Sequence, residues 1–231
     1  MNNEQETHFD FIIIGSGFGG SVSALRLIEK GYSVLVVEKG RRFGSDDFPR
    51  NNWNLKNWMW LPRLNWRGFY KMTFFKNVTV MSGVGVGGGS LGYANTLPVP
   101  SESFFKASSW AHLGEWESEL MPHYETARRM LGVAENPRLT EIDHKLQEVA
   151  EDLGCGDRFK PSSVGVYFGE KGVTVPDPYF QGEGPERTGC IFCGACMTGC
   201  AHGAKNTLDK NYLYLAEKRG ARVMAETEVR A

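Results

Sequence analysis

A chain of 231 residues, 41% hydrophobic and 23% charged, is long enough for one large domain or two small ones around a sizeable core. Lys and Arg number 26 against 27 Asp and Glu, a formal charge of −1, so no net field draws the chain to nucleic acid or an anionic membrane. No run of about 18 apolar residues is present to cross a bilayer. The polar start Met1–Thr7 lacks the basic and apolar regions of a secretory signal.

In chain order, Phe9 to Ile14 (FDFIII) reads as a buried parallel strand. Gly15-Ser16-Gly17-Phe18-Gly19-Gly20 follows, then a helix over 21–30 with Val22, Leu25 and Ile28 on one face and Gly31 at its end. Tyr32 to Val37 is a second buried strand closed by Glu38. This order is a βαβ unit. Residues 41–80 hold four of the six Trp and show no sustained periodicity. They read as an irregular excursion packed by aromatics, or as a cover for an apolar substrate. Val78 to Met81 returns to strand character before a second glycine loop, Ser82 to Ser90. Trp116 to Leu131 is helical in composition, with Pro122 expected to split it. Thr140 to Leu153 is a helix with a Thr140/Asp143 capping box and an apolar face of Ile142, Leu146, Val149 and Leu153. Residues 160–189, rich in Gly and Pro, read as loops with short strands. Leu208, Tyr212 and Leu215 mark a helix ended by Gly220, and Ala221 to Val229 a closing strand.

Gly15, Gly17 and Gly20 fit G-x-G-x-x-G between a strand and a helix, with Glu38 placed 23 positions after Gly15 to accept from ribose hydroxyls. The first glycine allows the tight turn, the second lets backbone approach a pyrophosphate, and the third lets helix and strand close up. Together these point to an adenine dinucleotide. The second loop lies about seventy residues downstream, too far along the chain to share the same phosphate turn, which favours a flavin over a nicotinamide.

Cys190, Cys193, Cys196 and Cys200 carry the spacing of a bacterial ferredoxin, so their thiolates are candidate ligands for an iron–sulfur (4Fe-4S) cluster or zinc. Ala201 replaces the usual Pro, and no second run supplies a partner cluster. Cys155 is the only other Cys and the candidate remote ligand. The alternative is a set of small buried thiols or a local disulfide.

The opening DFIIIGSGFGGSVSALRLIEKGYSVLVVEKG resembles the start of the glucose–methanol–choline (GMC) oxidoreductases, and GVGVGGGSLGYAN resembles their flavin-covering loop. GAKNTLDKNYL, DFPRNNWNL, MPHYETARRMLGV and TVPDPYF resemble the bacterial cholesterol oxidase branch. The resemblance implies an α/β fold with an incomplete, doubly wound, Rossmann-like FAD domain and the beginning of a substrate domain. Residues 1–100 would hold the βαβ unit and flavin-covering loop, 101–189 a helical and irregular insert, and 190–231 the Cys-rich turn and the adenine-side strand.

The resemblance also implies FAD bound by Gly15, Gly17, Gly20 and Glu38, a flavin lined by Gly85, Gly87, Gly88, Ser90 and Asn95, and an adenine met by Val229. The implied reaction is oxidation of a CH–OH group, foremost a 3β-hydroxysteroid, with oxygen or an electron carrier as acceptor. A GMC dehydrogenase passing electrons to a carrier, through an iron–sulfur cluster, and a non-catalytic FAD-binding fragment are the alternatives. The family is about twice this length with its catalytic His near the C-terminus. His8, His112, His123, His144 and His202 match no such motif, so the chain is read as an N-terminal half without a catalytic base. The expected location is cytoplasmic, peripheral to a membrane when acting on sterol.

Overall fold

The computed structural model describes residues 8–49 and 53–230. Met1–Thr7 and the Arg50–Asn52 part of DFPRNNWNL lie outside the described residues. The chain opens with β1 (Phe11–Ile14), α1 (Phe18–Ile28) and β2 (Val34–Val37). β1 and β2 are parallel, with Ile12 opposite Leu35. Gly31, at φ +87°, supplies the left-handed turn that brings the chain off α1.

The 41–80 segment is more regular than its sequence suggests. β3 (Tyr70–Phe74) and β4 (Thr79–Gly83) form an antiparallel hairpin, closed where the Phe75 N–H donates to the Val78 carbonyl. Aromatics do pack the segment: Phe43, Phe69, Tyr70 and Leu91 form a core of their own, backed by Phe48, Trp58 and Met59. The Tyr70 hydroxyl stands 2.5 Å from the Gly92 carbonyl and 2.7 Å from the Met197 carbonyl, joining this core to the second glycine loop and to the cysteine run.

α2 (Trp116–Met130) runs unbroken through Pro122, contrary to the expected split. Pro removes one helical N–H, but the turns on either side carry good helix formers and keep their own bonds. α3 (Glu141–Asp152) starts at the expected capping box, where the Thr140 N–H (2.7 Å) and hydroxyl (2.6 Å) both donate to Asp143 Oδ2. Its Ile142, Leu146, Val149 and Leu153 do share a face, but that face is exposed.

α4 (Tyr212–Lys218) ends before Gly220, at φ +103°, and leads into β5 (Arg222–Met224). β5 pairs parallel with the free side of β2, giving the sheet order β1-β2-β5. The closing strand is thus shorter than Ala221–Val229, because Glu226 and Thr227 turn to bond Gly40 and Glu38 instead. The main core lies between the sheet and the helices, with Ala24 and Leu25 of α1, Val34 and Val36 of β2, and Leu213, Leu215 and Ala216 of α4. β2 is buried along its length. β1, paired on one side only, has no fully buried residue: Ile12 is 63% and Ile14 70% exposed and Ile13 packs partly against the core, so the expected buried first strand is largely open. Among the described residues, no helix is long and apolar enough to cross a membrane.

Candidate functional site

The site begins where β1 ends. The Gly15 N–H donates to the Val37 carbonyl (2.8 Å), and Gly15 turns at φ +93°, a conformation that favours glycine. α1 then starts at Gly17 with no side chain capping it, so its first-turn N–H groups and the positive end of its dipole are available to an anion. A Cβ placed on Gly17 or Gly19 would meet nothing within 4 Å. A Cβ on Gly20 would lie 1.9 Å from the Gly15 carbonyl oxygen. The three motif glycines therefore divide as the motif requires: one turns, one leaves an open approach, and one lets helix and strand touch.

Glu38 ends β2 and is 5% exposed. Its Oε2 accepts from the Ser16 N–H (3.0 Å) and hydroxyl (2.8 Å), and its Oε1 from the N–H groups of Gly40 (2.9 Å) and Gly85 (3.3 Å). A carboxylate offers about four lone-pair sites, and these four donors occupy them. The structure thus sets Glu38 to tie three backbone segments together, a use beyond the ribose contact expected from its position after β2.

The second glycine loop abuts the first instead of standing apart from it. The Gly87 N–H donates to Ser16 Oγ (3.1 Å), a Cβ on Gly88 would lie 2.7 Å from Gly17 Cα, and a Cβ on Gly40 would lie 2.3 Å from the Gly85 nitrogen. Gly85, Gly87 and Gly88 all have positive φ, so only glycine permits both the bend and the approach. The contact arises because β3 and β4 fold back as a hairpin and return the chain to its start. Ser16, unremarked in the sequence, is the hinge of the arrangement. Its position inside the motif was the available signal.

Ser90 is buried; its hydroxyl donates to the Gly87 carbonyl (2.7 Å) and accepts from the Leu208 N–H (3.0 Å), so it shapes the loop. Asn95 is buried at φ +56°, and its Nδ2 has no partner among the described residues. A buried amide donor without a partner is what a polar ligand edge would satisfy. Val229 lies beyond β5 and is exposed. Its neighbour Thr227 donates its N–H to the Glu38 carbonyl (2.9 Å), which holds this segment beside the end of β2.

Two further residues support the loop and were not singled out as site residues. Lys205, 1% exposed, donates from Nζ to the carbonyls of Leu91 (2.8 Å), Tyr93 (2.9 Å) and Cys196 (2.8 Å). Burial draws its ammonium down to about 8, against the pull of Cys196, Cys200 and Asp209. Arg187, also 1% exposed, donates from Nη2 to the Ala204 and Lys205 carbonyls and to Asn206 Oδ1, and burial lowers its pKa. A lysine in a polar stretch such as GAKNTLDKN gives no sign of burial, because only the fold supplies the three carbonyls that make burial tolerable.

Cys190, Cys193, Cys196 and Cys200 line one cavity of about 30 Å³ together with His202 and Lys205. All five cysteines are free thiols. Among the described residues, no three His, Cys, Asp or Glu side chains stand in a metal-holding arrangement. Cys155 lines a separate groove beside α3 and is no fourth ligand to this run. The four thiols of the run thus share one cavity, and the turns at Phe192 (φ +60°), Gly194 and Gly199 shape the loop that carries them.

A family model described as an NAD(P)-binding Rossmann-like domain matches residues 13–57. Over 227 residues the chain is 56% identical to a cholesterol oxidase of Mycobacterium tuberculosis, covering 96% of this chain and 39% of that protein. It is 54% identical over 225 residues to a cholesterol oxidase of Acinetobacter baumannii, covering 96% and 40%. Among solved structures, pyridoxine 4-oxidase from Mesorbium loti matches with a TM-score of 0.46 at 18% identity, covering 95% of this chain and 42% of that one. The chain spans about two fifths of the length of the curated relatives it matches. The α/β, Rossmann-like fold class stands, and so does the similarity to bacterial cholesterol oxidases.

Proposed function

We propose that this chain forms the FAD-binding part of an oxidoreductase acting on CH–OH groups, with a 3β-hydroxysteroid as the foremost substrate. The observation that carries the reading is the interlock of two glycine loops over the uncapped start of α1. More than half identity to two cholesterol oxidases supports the substrate class. FAD, when bound, supplies the acceptor for the hydride leaving the carbinol carbon.

The chain's own residues bind and orient. Gly17 and the first N–H groups of α1 take the pyrophosphate, and Gly20 keeps the helix end close to the strand. Ser16 and Glu38 hold the second loop over this cradle, and Glu38 reaches a ribose only where an incoming hydroxyl replaces one of its four donors. Gly85, Gly87, Gly88 and Ser90 set the loop's curvature, and Asn95 Nδ2 is the free donor toward a polar edge of the ring. Val229 is proposed beside the adenine, held there through Thr227. No histidine takes part in the contacts that build this site, and the reading assigns no catalytic base to the chain.

The test is FAD retention after reconstitution, read by flavin absorbance and by quenching of flavin fluorescence. Gly17→Val fills the open approach while the backbone there, at φ −70°, accepts a side chain. We expect a folded variant that loses at least tenfold in FAD affinity. A wild-type chain that takes up no FAD, or a Gly17→Val variant that binds it equally well, overturns the reading.

A further inference from the structure

The cysteine run is left over once the dinucleotide site is assembled, and its geometry suits a chemistry other than metal binding. Cys190 and Cys193 form a C-x-x-C pair that lines one small cavity. They are unequal. Cys190 is half-buried and fixed: its N–H donates to the Tyr167 carbonyl (2.9 Å), and its Sγ accepts from the Phe192 N–H at 3.4 Å. Cys193 is exposed and lines both the inner cavity and an open groove of about 500 Å³ formed with Ser45, Phe48, Pro49 and His202. The turn between them is set by Phe192 at φ +60°, whose ring stacks on Phe168 at 5.7 Å. A thiol open to solvent beside one that is held and sheltered is the arrangement of an attacking and a resolving cysteine.

We propose that Cys193 and Cys190 are a redox pair, in which Cys193 reacts with hydrogen peroxide and Cys190 closes the disulfide. In the first step the Cys193 thiolate attacks one peroxide oxygen, the O–O bond breaks, and hydroxide leaves, giving the sulfenic acid. In the second the Cys190 sulfur displaces the hydroxyl from Cys193, an S–S bond forms, and water leaves. Two thiols are oxidised, one peroxide is reduced to two waters, and a cellular dithiol reverses the change. Burial pushes the Cys190 thiol up, consistent with a partner that stays protonated until the sulfenic acid forms. The source of peroxide rests on the proposed function, since an oxidase using oxygen releases it beside this loop. The thiol chemistry itself does not depend on that reading.

The pair is also wired to the glycine site. Lys205 holds the carbonyl of Cys196, three residues past Cys193, together with the carbonyls of Leu91 and Tyr93 just past the second loop. The full chain, reduced and freed of reductant, is treated with a few equivalents of hydrogen peroxide, denatured, alkylated and mapped by peptide mass. We expect Cys190 and Cys193 to disappear together from the alkylated pool as one linked peptide and to return with dithiothreitol. Cys190→Ser should instead leave Cys193 as a sulfenic acid that dimedone captures, and Cys155 should alkylate fully throughout. Full alkylation of all five thiols after peroxide, a disulfide mapped to Cys196 and Cys200 instead, or stoichiometric bound zinc or iron in the purified chain each overturns the proposal. A chain that forms the disulfide but takes up no FAD keeps the redox pair and rejects the proposed function, so the two failures are distinguishable.

Discussion

β1 and β2 are nearly the same in composition, FIII against VLVV, and entirely different in what surrounds them. β2 is paired on both sides and buried throughout, whereas β1 is paired on one side and presents Ile12 and Ile14 to solvent. The same contrast separates the helices. α4 buries Tyr212, Leu213, Leu215 and Ala216, while α3 carries an equally regular apolar stripe that nothing in this structure covers. An apolar pattern therefore specifies which face of an element seeks cover, and the neighbours decide whether cover is found. The proposed dinucleotide site lies where both kinds of surroundings meet, between the exposed tip of β1 and the buried tip of β2.

If that end is held by buried polar ties, cutting one should have the largest effect. Glu38→Ala orphans at least the buried N–H groups of Ser16 and Gly40, at about 1–3 kcal/mol each, so a loss of about 2–6 kcal/mol is expected in the absence of any cofactor. Urea unfolding of the cofactor-free chain reads it. An unchanged midpoint would show that Glu38 serves the ligand alone. Next comes Leu213→Ala in α4, a fully buried side chain in the main core, for which about 2–5 kcal/mol is expected.

Lys205 sharpens the comparison through pH. Its pKa falls from 10.5 to about 8 on folding, so between those values the unfolded chain binds the extra proton. Its burial therefore weighs against folding most fully below about pH 8, and the penalty is relieved as pH rises toward 10.5. Relative to Lys205→Met, the wild-type chain should gain on the order of 3 kcal/mol across that window. A stability difference flat in pH would mean that the ammonium is not desolvated as the structure shows. The smallest effect is expected on the uncovered side: Leu146→Ala in α3 should stay within about 0.5 kcal/mol. A loss near that of Leu213→Ala would show that the α3 stripe is covered in solution.

Much of the proposed dinucleotide site's geometry is legible in the chain itself, because its parts are local. A tight turn, an open approach and a helix N-terminus need only Gly15, Gly17 and Gly20 in the right order between a strand and a helix. The Thr140/Asp143 cap is legible for the same reason, since donor and acceptor are three residues apart. The continuous α2 was misread because a single lost N–H at Pro122 is outweighed by the turns around it. The direct contact between the two glycine loops was not legible, because sequence distance says nothing of a hairpin that brings the chain back.

By itself, then, the sequence determined the βαβ unit, the second glycine loop, the helix at 141–152 and a helix ended by Gly220, whose start lies at Tyr212 and not at the expected Leu208. The tertiary structure alone decided that Glu38 and Ser16 bolt the two loops together. It also decided that Lys205 and Arg187 lie buried on carbonyls, and that the four thiols of the cysteine run share a cavity without closing around a point. Each of these depends on groups between 9 residues apart, for Lys205 and Cys196, and 114 residues apart, for Lys205 and Leu91, or on loop torsions. Local propensity and periodicity carry no record of such distances. The reason is physical: a buried charge or a backbone contact at glycine is tolerable only when distant partners arrive together, and that arrival is the fold.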